Sequence, residues 1–237
     1  MVLHLSDVNL DADFAELIEC QWAAHEDPFQ PFYRLFCPIY ESGREASVKE
    51  STSRFLEWAR HDPHEKWLKV VDTDTGKIVG GALYKVYNEN PFAHAEEEVA
   101  YWYPNDSTRD YASQAIEQMD VPRMEMATRP QVFLNILFTH PNHRRKGIGS
   151  MLLQWGIDTA ETLGVEFWLN STPVGKPLYE KFGFEVAKKN PLVPKTESPD
   201  EKWKQMEAQF DDVVFWTMYL PKEGLVEIGK TVKLREE

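Results

Sequence analysis

The stretch from Val132 to Leu163 constrains this chain more than any other part of it. From Val132 to Phe138 the residues are almost continuously apolar, and the run stops at His140-Pro141, the pattern of a strand buried on both faces. From Ile148 onward Ile148, Met151, Leu152, Trp155 and Leu163 fall mostly on one face of a helix. Arg144, Arg145 and Lys146 lie between the two, followed by Gly147 and Gly149. Strand, basic glycine turn and helix bring backbone N–H groups, a helix N-terminus and positive charge to one spot. That is a site for an anionic phosphate group.

The 237 residues allow one large domain or two small ones. With no internal repeat and no linker, a single domain over 1–220 is expected, followed by a charged tail at 221–237. A formal net charge of −13 excludes a general nucleic-acid binder, which needs a basic footprint, and biases the surface toward cationic substrates such as amines. No apolar run is long enough for a membrane span, and Met1 to Glu16 is acidic with no apolar segment of a leader. The expectation is a cytoplasmic protein with no membrane partner, a monomer or homodimer, in which Cys20 and Cys37 are reduced thiols.

A short edge strand is expected at Val2 to Leu5, then a helix carrying Phe14, Leu17, Ile18 and Trp22, with Asp11 as its N-cap. The aromatic and proline-rich stretch from Phe29 to Tyr40 reads as a loop stapled to the core or as a wall over an acceptor pocket. A second helix runs from Arg44 to Arg60 with Val48, Thr52, Phe55 and Ala59 on one face, and Asp62-Pro63 stops it. Strands at Lys66–Val71 and Lys77–Tyr87 flank a turn at Asp74-Thr75-Gly76. Between 88 and 130 lies an inserted segment with Glu96-Glu97-Glu98, Tyr101-Trp102-Tyr103 and a helix from Ser107 to Met119.

Downstream, Val165 to Asn170 completes a βαβ unit with Val132–Phe138, so the two strands are expected parallel with a right-handed crossover. A short helix from Gly175 ends at Gly183, with Phe184 supplying the hydrophobic contact of a C-terminal cap. Strands at Phe184–Lys188 and Val213–Leu220 flank a helix opened by Ser198-Pro199-Asp200-Glu201, which has the capping-box pattern.

Two segments together match one family. Arg144-Arg145-Lys146-Gly147-Ile148-Gly149 resembles the acyl-CoA signature of the GNAT superfamily of N-acetyltransferases, and Leu178-Tyr179-Glu180-Lys181-Phe182-Gly183-Phe184 resembles its downstream helix. The clear match covers 132–188. The resemblance implies an α/β (α+β) fold, a mixed central sheet with splayed parallel strands flanked by helices. It implies acetyl-CoA as co-substrate, with no metal. Arg144, Arg145, Lys146, Gly147, Ile148, Gly149 and Ser150 would hold the phosphates, Arg144 reaching outward, and the main chain of Leu137, Phe138 and Thr139 would pair with the pantetheine arm.

The same resemblance implies that Tyr179 protonates the departing thiolate. A base is harder to place. Many members carry Glu where this chain has Asn135, which takes no proton at neutral pH, and the Asn and Ala usual before Leu-Tyr are Thr172 and Gly175. Asn170, Ser171 and Thr172 at the strand end stand as groups that orient the acceptor or a water, Asn135 joins Tyr179 and Asn170 as a catalytic position, and Glu26, Glu96, Glu97, Glu98 and His140 stand as remote bases. The expected function is acetyl transfer from acetyl-CoA to a small-molecule amine by direct attack. Acetylation of a protein or peptide amine, and a non-catalytic acyl-CoA sensor, are the alternatives.

Overall fold

The computed structural model describes residues 2–93 and 99–221, so Glu96 to Glu98 and the tail from 222 lie outside the described residues. Seven strands form one mixed sheet in the order β1-β2-β3-β4-β5-β7-β6. These are β1 (Leu3–Asp7), β2 (Glu65–Asp72), β3 (Lys77–Tyr87), β4 (Gln131–Thr139), β5 (Glu166–Ser171), β6 (Glu185–Pro191) and β7 (Val214–Leu220). The expected edge strand is β1, paired antiparallel with β2 alone, and β2 pairs antiparallel with β3. Gly76 closes their turn at φ 70°, where a side chain would be strained. Among the described residues no helix is long and apolar enough to cross a membrane.

The chain divides into two units, one comprising the chain to Tyr87 with Val132–Phe167, the other Asn88–Gln131 with the chain from Trp168. The first holds α1 (Phe14–Glu26), the single turn α2 (Tyr33–Phe36), α3 (Arg44–His61) and α5 (Ile148–Leu163). Phe14, Leu17, Ile18, Trp22, Tyr33, Phe55, Trp67 and Phe138 belong to its core. The cap of α1 is Asp13 rather than Asp11, and it makes no side-chain cap bond. Asp11 instead pairs with Arg60 at 2.6 Å, and Asp13 with Lys69.

Of the apolar row expected of α3, Phe55 is buried and Val48 and Ala59 pack half-buried against the core, while Ser47, Ser51 and Arg54 are buried beside them. Ser51 sits inside because the buried Trp22 indole N–H donates to its Oγ at 3.0 Å, and an unpaired indole N–H there would cost roughly 1–3 kcal/mol. α5 docks where Gly156 leaves room for two rings: an added Cβ would stand 2.6 Å from Tyr84 and 2.7 Å from Phe167. The Tyr84 hydroxyl also donates to the Leu152 carbonyl at 2.8 Å.

The second unit contains α4 (Ser107–Met126), α6 (Lys176–Lys181) and α7 (Glu201–Phe210), with β6 and β7 antiparallel. Asp106 caps α4, which runs past Met119 to Met126 with Pro122 inside. Proline removes the bond to the carbonyl four residues back, and that carbonyl, on Gln118, accepts from Asn190 Nδ2. The helix therefore passes its proline without leaving that oxygen unpaired. The cap of α7 is Asp200, whose carboxylate accepts from the Trp203 N–H at 2.8 Å, so Ser198-Pro199 precede the helix rather than opening it. The register follows from Trp203, Met206 and Phe210, which are all buried; Trp203 meets Tyr111 edge-on at 5.0 Å.

Candidate active site

The basic turn is built in the first unit. β4 ends at Thr139, a 3-10 turn spans Pro141–His143, and α5 begins at Ile148. Arg145 adopts φ 59° and Gly147 φ 89°, so the chain passes twice through the left-handed region just ahead of the helix. Only Gly147 does so without steric cost; for Arg145 the conformation is strained by about 1 kcal/mol or more. No side chain caps α5. Among the described residues the backbone amides of Arg145, Lys146, Gly147, Ile148, Gly149 and Ser150 have no acceptor, the first intrahelical bond running from Met151 N to Gly147 O. Such a run of unpaired N–H groups at an uncapped helix start fits a pyrophosphate.

The three cations divide their tasks. Arg145 and Lys146 are exposed, Lys146 lightly held by the Asn142 carbonyl at 3.0 Å. Arg144, expected to reach outward, turns one Nη to the Ala24 carbonyl at 2.8 Å. That carbonyl lies in the last turn of α1, where the helix dipole favours a cation. Arg144 thus ties the basic turn to α1.

β4 is buried through Leu134, exposed at Asn135 and half-buried at Ile136, Leu137 and Thr139, with Phe138 buried. Its end is pinned by the His140 N–H, which donates to the Val79 carbonyl at 2.9 Å. Gly80 allows this closeness, since a Cβ there would lie 2.6 Å from Ile148 Cγ2 and 2.9 Å from the Phe138 carbonyl oxygen.

In the second unit Tyr179 lies on α6, buried, its ring against Phe184 at 5.9 Å. Burial alone pushes its phenol pKa up, which keeps the hydroxyl protonated. The hydroxyl has no hydrogen-bond partner among the described residues. Gly175 gives the ring its place: a Cβ at 175 would come within 2.9 Å of Tyr179 Cε2. The sequence departure at 175 therefore accommodates the tyrosine. Asn170 has its amide committed, Nδ2 donating to the Met119 carbonyl at 3.1 Å and to Asp120, and Oδ1 accepting from Thr217 at 3.0 Å.

Of the bases considered, Glu26 is tied to Arg34 and Arg44, each at 2.9 Å. His140 uses Nδ1 as acceptor for the Asn142 N–H at 3.3 Å, and burial pushes its pKa down. Gln21 and His25, both buried on α1, give no signal in the sequence, because a polar residue one turn from another on an apolar helix leaves no periodic pattern.

A family model described as "Acetyltransferase (GNAT) family" matches residues 29–184, well over half of the chain. The chain belongs to this family, and so to the acyltransferases. The match begins at Phe29 in the aromatic stretch before α3 and ends at Phe184, spanning both the basic turn and the Tyr179 helix.

One curated relative, named probable acyltransferase SID5 from Ajellomyces capsulatus, is 40% identical over 50 residues, covering 21% of this chain and 37% of that protein. The match thus spans little more than a third of that relative's length. Among solved structures, the Drosophila melanogaster polyamine N-acetyltransferase that forms N-acetylagmatine superposes with a TM-score of 0.60 at 14% identity, over 93% of this chain and 100% of that one. A mosquito arylalkylamine N-acetyltransferase like 5b gives 0.58 at 19% identity, over 92% and 99%. At these identities the likeness shows a shared GNAT fold, as the strand order and flanking helices do.

Proposed function

We propose that this family member is an N-acetyltransferase that moves an acetyl group from acetyl-CoA to the amine of a small molecule by direct attack. The observation that carries the reading is the row of unpaired amides from Arg145 to Ser150 beside exposed Arg145 and Lys146. These groups bind the phosphates of the donor, while the main chain of Leu137, Phe138 and Thr139 pairs with its arm. Bound acetyl-CoA supplies an activated thioester carbonyl. The two structurally similar enzymes named above carry amine substrates in their names, which supports an amine acceptor.

On this reading the amine nitrogen bonds to the carbonyl carbon, the carbon–sulfur bond breaks, and the amine's proton passes to solvent water, which in turn restores the phenolic proton that Tyr179 gives up. Tyr179 donates its phenolic proton to the departing thiolate, a role consistent with a phenol that burial keeps protonated. Presenting an alkylamine of pKa near 10 in neutral form at pH 7 costs about 4 kcal/mol, so the acceptor side must favour the uncharged amine. Asn135, exposed on β4, orients the acceptor by hydrogen bonding, and Asn170 is a positioning residue that joins α4, β5 and β7. The reading treats residues 1–220 as one acetyltransferase domain, since the family match crosses both units. It also places the protein in the cytoplasm, in keeping with Cys20 and Cys37, buried free thiols that burial pushes up to about 12.

The test is calorimetric titration with acetyl-CoA followed by thiol release with a panel of small amines and of peptides. Micromolar binding and release with a small amine is the expected result. Absence of acetyl-CoA binding overturns the reading, and binding without release for any amine favours a sensor.

A further inference from the structure

α1 carries two buried polar groups that the core does not use. Gln21 is 2% exposed, and its side-chain Oε1 has no hydrogen-bond partner among the described residues. His25, one turn later on the same face and 7% exposed, donates Nδ1–H to the Gln21 carbonyl at 2.8 Å. A carbonyl can only accept, so this bond fixes the tautomer and leaves Nε2 with a bare lone pair. Among the described residues Nε2 has no partner.

The ring is held in one place. It stacks on Tyr33 at 4.2 Å and 7°, meets Phe32 edge-on at 5.6 Å, and stands 6.5 Å from the Phe138 ring. Phe138 is at the end of β4 where the donor's arm is assigned, and Arg144 of the phosphate turn bonds Ala24, the neighbour of His25. Both orphan acceptors therefore sit on the helix that packs against the donor strand. Burial pushes the imidazole pKa down to about 4, with Arg144 and Arg34 adding to the effect, so the ring is neutral at pH 7.

Natural cores seldom leave a buried acceptor such as Gln21 Oε1 unmatched, and the bare Nε2 of His25, one turn along the same helix with its ring beside Phe138, offers a second acceptor to an N–H donor from outside the chain. We propose that Gln21 Oε1 and His25 Nε2 are the acceptor-binding pair, taking the N–H groups of the incoming amine and holding its lone pair toward the thioester. The assignment rests on the acetyltransferase reading. It also specifies the substrate class: a primary amine bound uncharged. Arg144, held at the neighbouring Ala24 carbonyl, disfavours an ammonium group there, Arg34 being paired with Glu26, and Tyr33, Phe32 and Phe138 give the amine an apolar, aromatic surround.

Three variants separate this from a structural role. His25→Asn keeps a donor for the Gln21 carbonyl and removes Nε2; His25→Gln extends an amide oxygen toward the lost position; Gln21→Met keeps shape and removes the orphan oxygen. The expected result for His25→Asn and Gln21→Met is a loss of about tenfold in kcat/KM for the amine with acetyl-CoA affinity unchanged, partial recovery in His25→Gln, and a melting temperature for Gln21→Met equal to or above wild type. In protein with 15N-labelled histidine and bound coenzyme A, adding the preferred amine should shift the His25 Nε2 resonance. An unmoved resonance, or wild-type amine kinetics in both Asn and Met variants, overturns the pair. Loss of acetyl-CoA binding by the wild type defeats the donor reading instead, a result the same calorimetry reads separately.

Discussion

The backbone N–H of Phe184 donates to the carbonyl of Tyr179 at 3.1 Å, closing the end of α6. Gly183, at φ 86°, makes this possible and gives its own N–H to the Glu180 carbonyl at 3.0 Å. These two bonds, with the Tyr179–Phe184 ring contact, form a Schellman cap. The device that ends the helix thus also fixes the residue proposed as proton donor.

Tyr179→Phe should lower kcat by roughly 10²-fold while leaving acetyl-CoA affinity and melting temperature nearly unchanged, because the lost hydroxyl has no partner among the described residues. Steady-state kinetics and calorimetry on the same preparation check this. An unchanged kcat removes Tyr179 from the chemistry.

Gly175→Ala tests the packing of that tyrosine. The new methyl meets Cε2 of the buried Tyr179 ring at 2.9 Å, so the ring must move. Overpacking of this kind costs about 1–3 kcal/mol, and the expected signature is a fall in kcat exceeding any rise in KM for acetyl-CoA. Equal kcat in the variant would show that the exact ring position does not matter to the reaction.

Charge and conformation can be tested separately in the basic turn proposed to hold the phosphates. Arg145→Gly relieves the left-handed strain yet removes a cation, so the variant should be as stable as wild type or more so. Its affinity for acetyl-CoA should fall by about tenfold at low salt and by less at high salt, since salt screens the lost attraction. Salt-dependent binding curves for the two proteins measure this.

Gly80→Ala should damage the same turn from beneath. The Cβ collides with Ile148 Cγ2 at 2.6 Å and with the Phe138 carbonyl at 2.9 Å, and the latter is backbone that cannot swing aside. Loss of about 1–3 kcal/mol in denaturant unfolding, together with weaker acetyl-CoA binding, is expected.

Acid should weaken the protein earlier than its carboxylates require. His25 has a folded pKa near 4, mainly through burial, against an ordinary value of 6.5. The unfolded state therefore binds the proton first, and stability falls as pH drops from about 6.5 toward 4, by up to about 3 kcal/mol. His140, also pushed down by burial, acts with the same sign. In urea melts between pH 7 and 4.5, His25→Gln should flatten the slope; an unaltered slope would show that His25 is not the group responsible.

Much of the fold can be read from the chain's periodicities. β3 and β4, α5, α6 with its glycine cap, and β7 lie within a residue or two of where apolar spacing and turn residues put them. The readings that failed share a cause, which is that capping and burial are settled by partners distant in sequence. Asp13 displaced Asp11 at the start of α1 as Arg60 took the latter, Ser51 went inside α3 to meet Trp22, and α4 continued past Met119 because Asn190 and Asn170 satisfied its carbonyls. None of these partners lies near in the sequence, so no local pattern carries them.

The candidate site divides in the same way. Arg145, Lys146, Gly147, Gly149 and Tyr179 could be nominated from sequence because a basic glycine turn and a capped helix are local motifs, each needing specific residue types at short spacing. The chain by itself therefore determined the family and the strand, turn and helix on which the proposed donor site lies. Only the tertiary structure decided that Arg144 braces α1, that Asn170 is spent on the scaffold, and that Gln21 and His25 are buried with unused acceptors. The physical reason is that a motif specifies backbone conformation through neighbours in sequence, whereas burial and hydrogen-bond satisfaction depend on which distant side chains the packed core brings alongside.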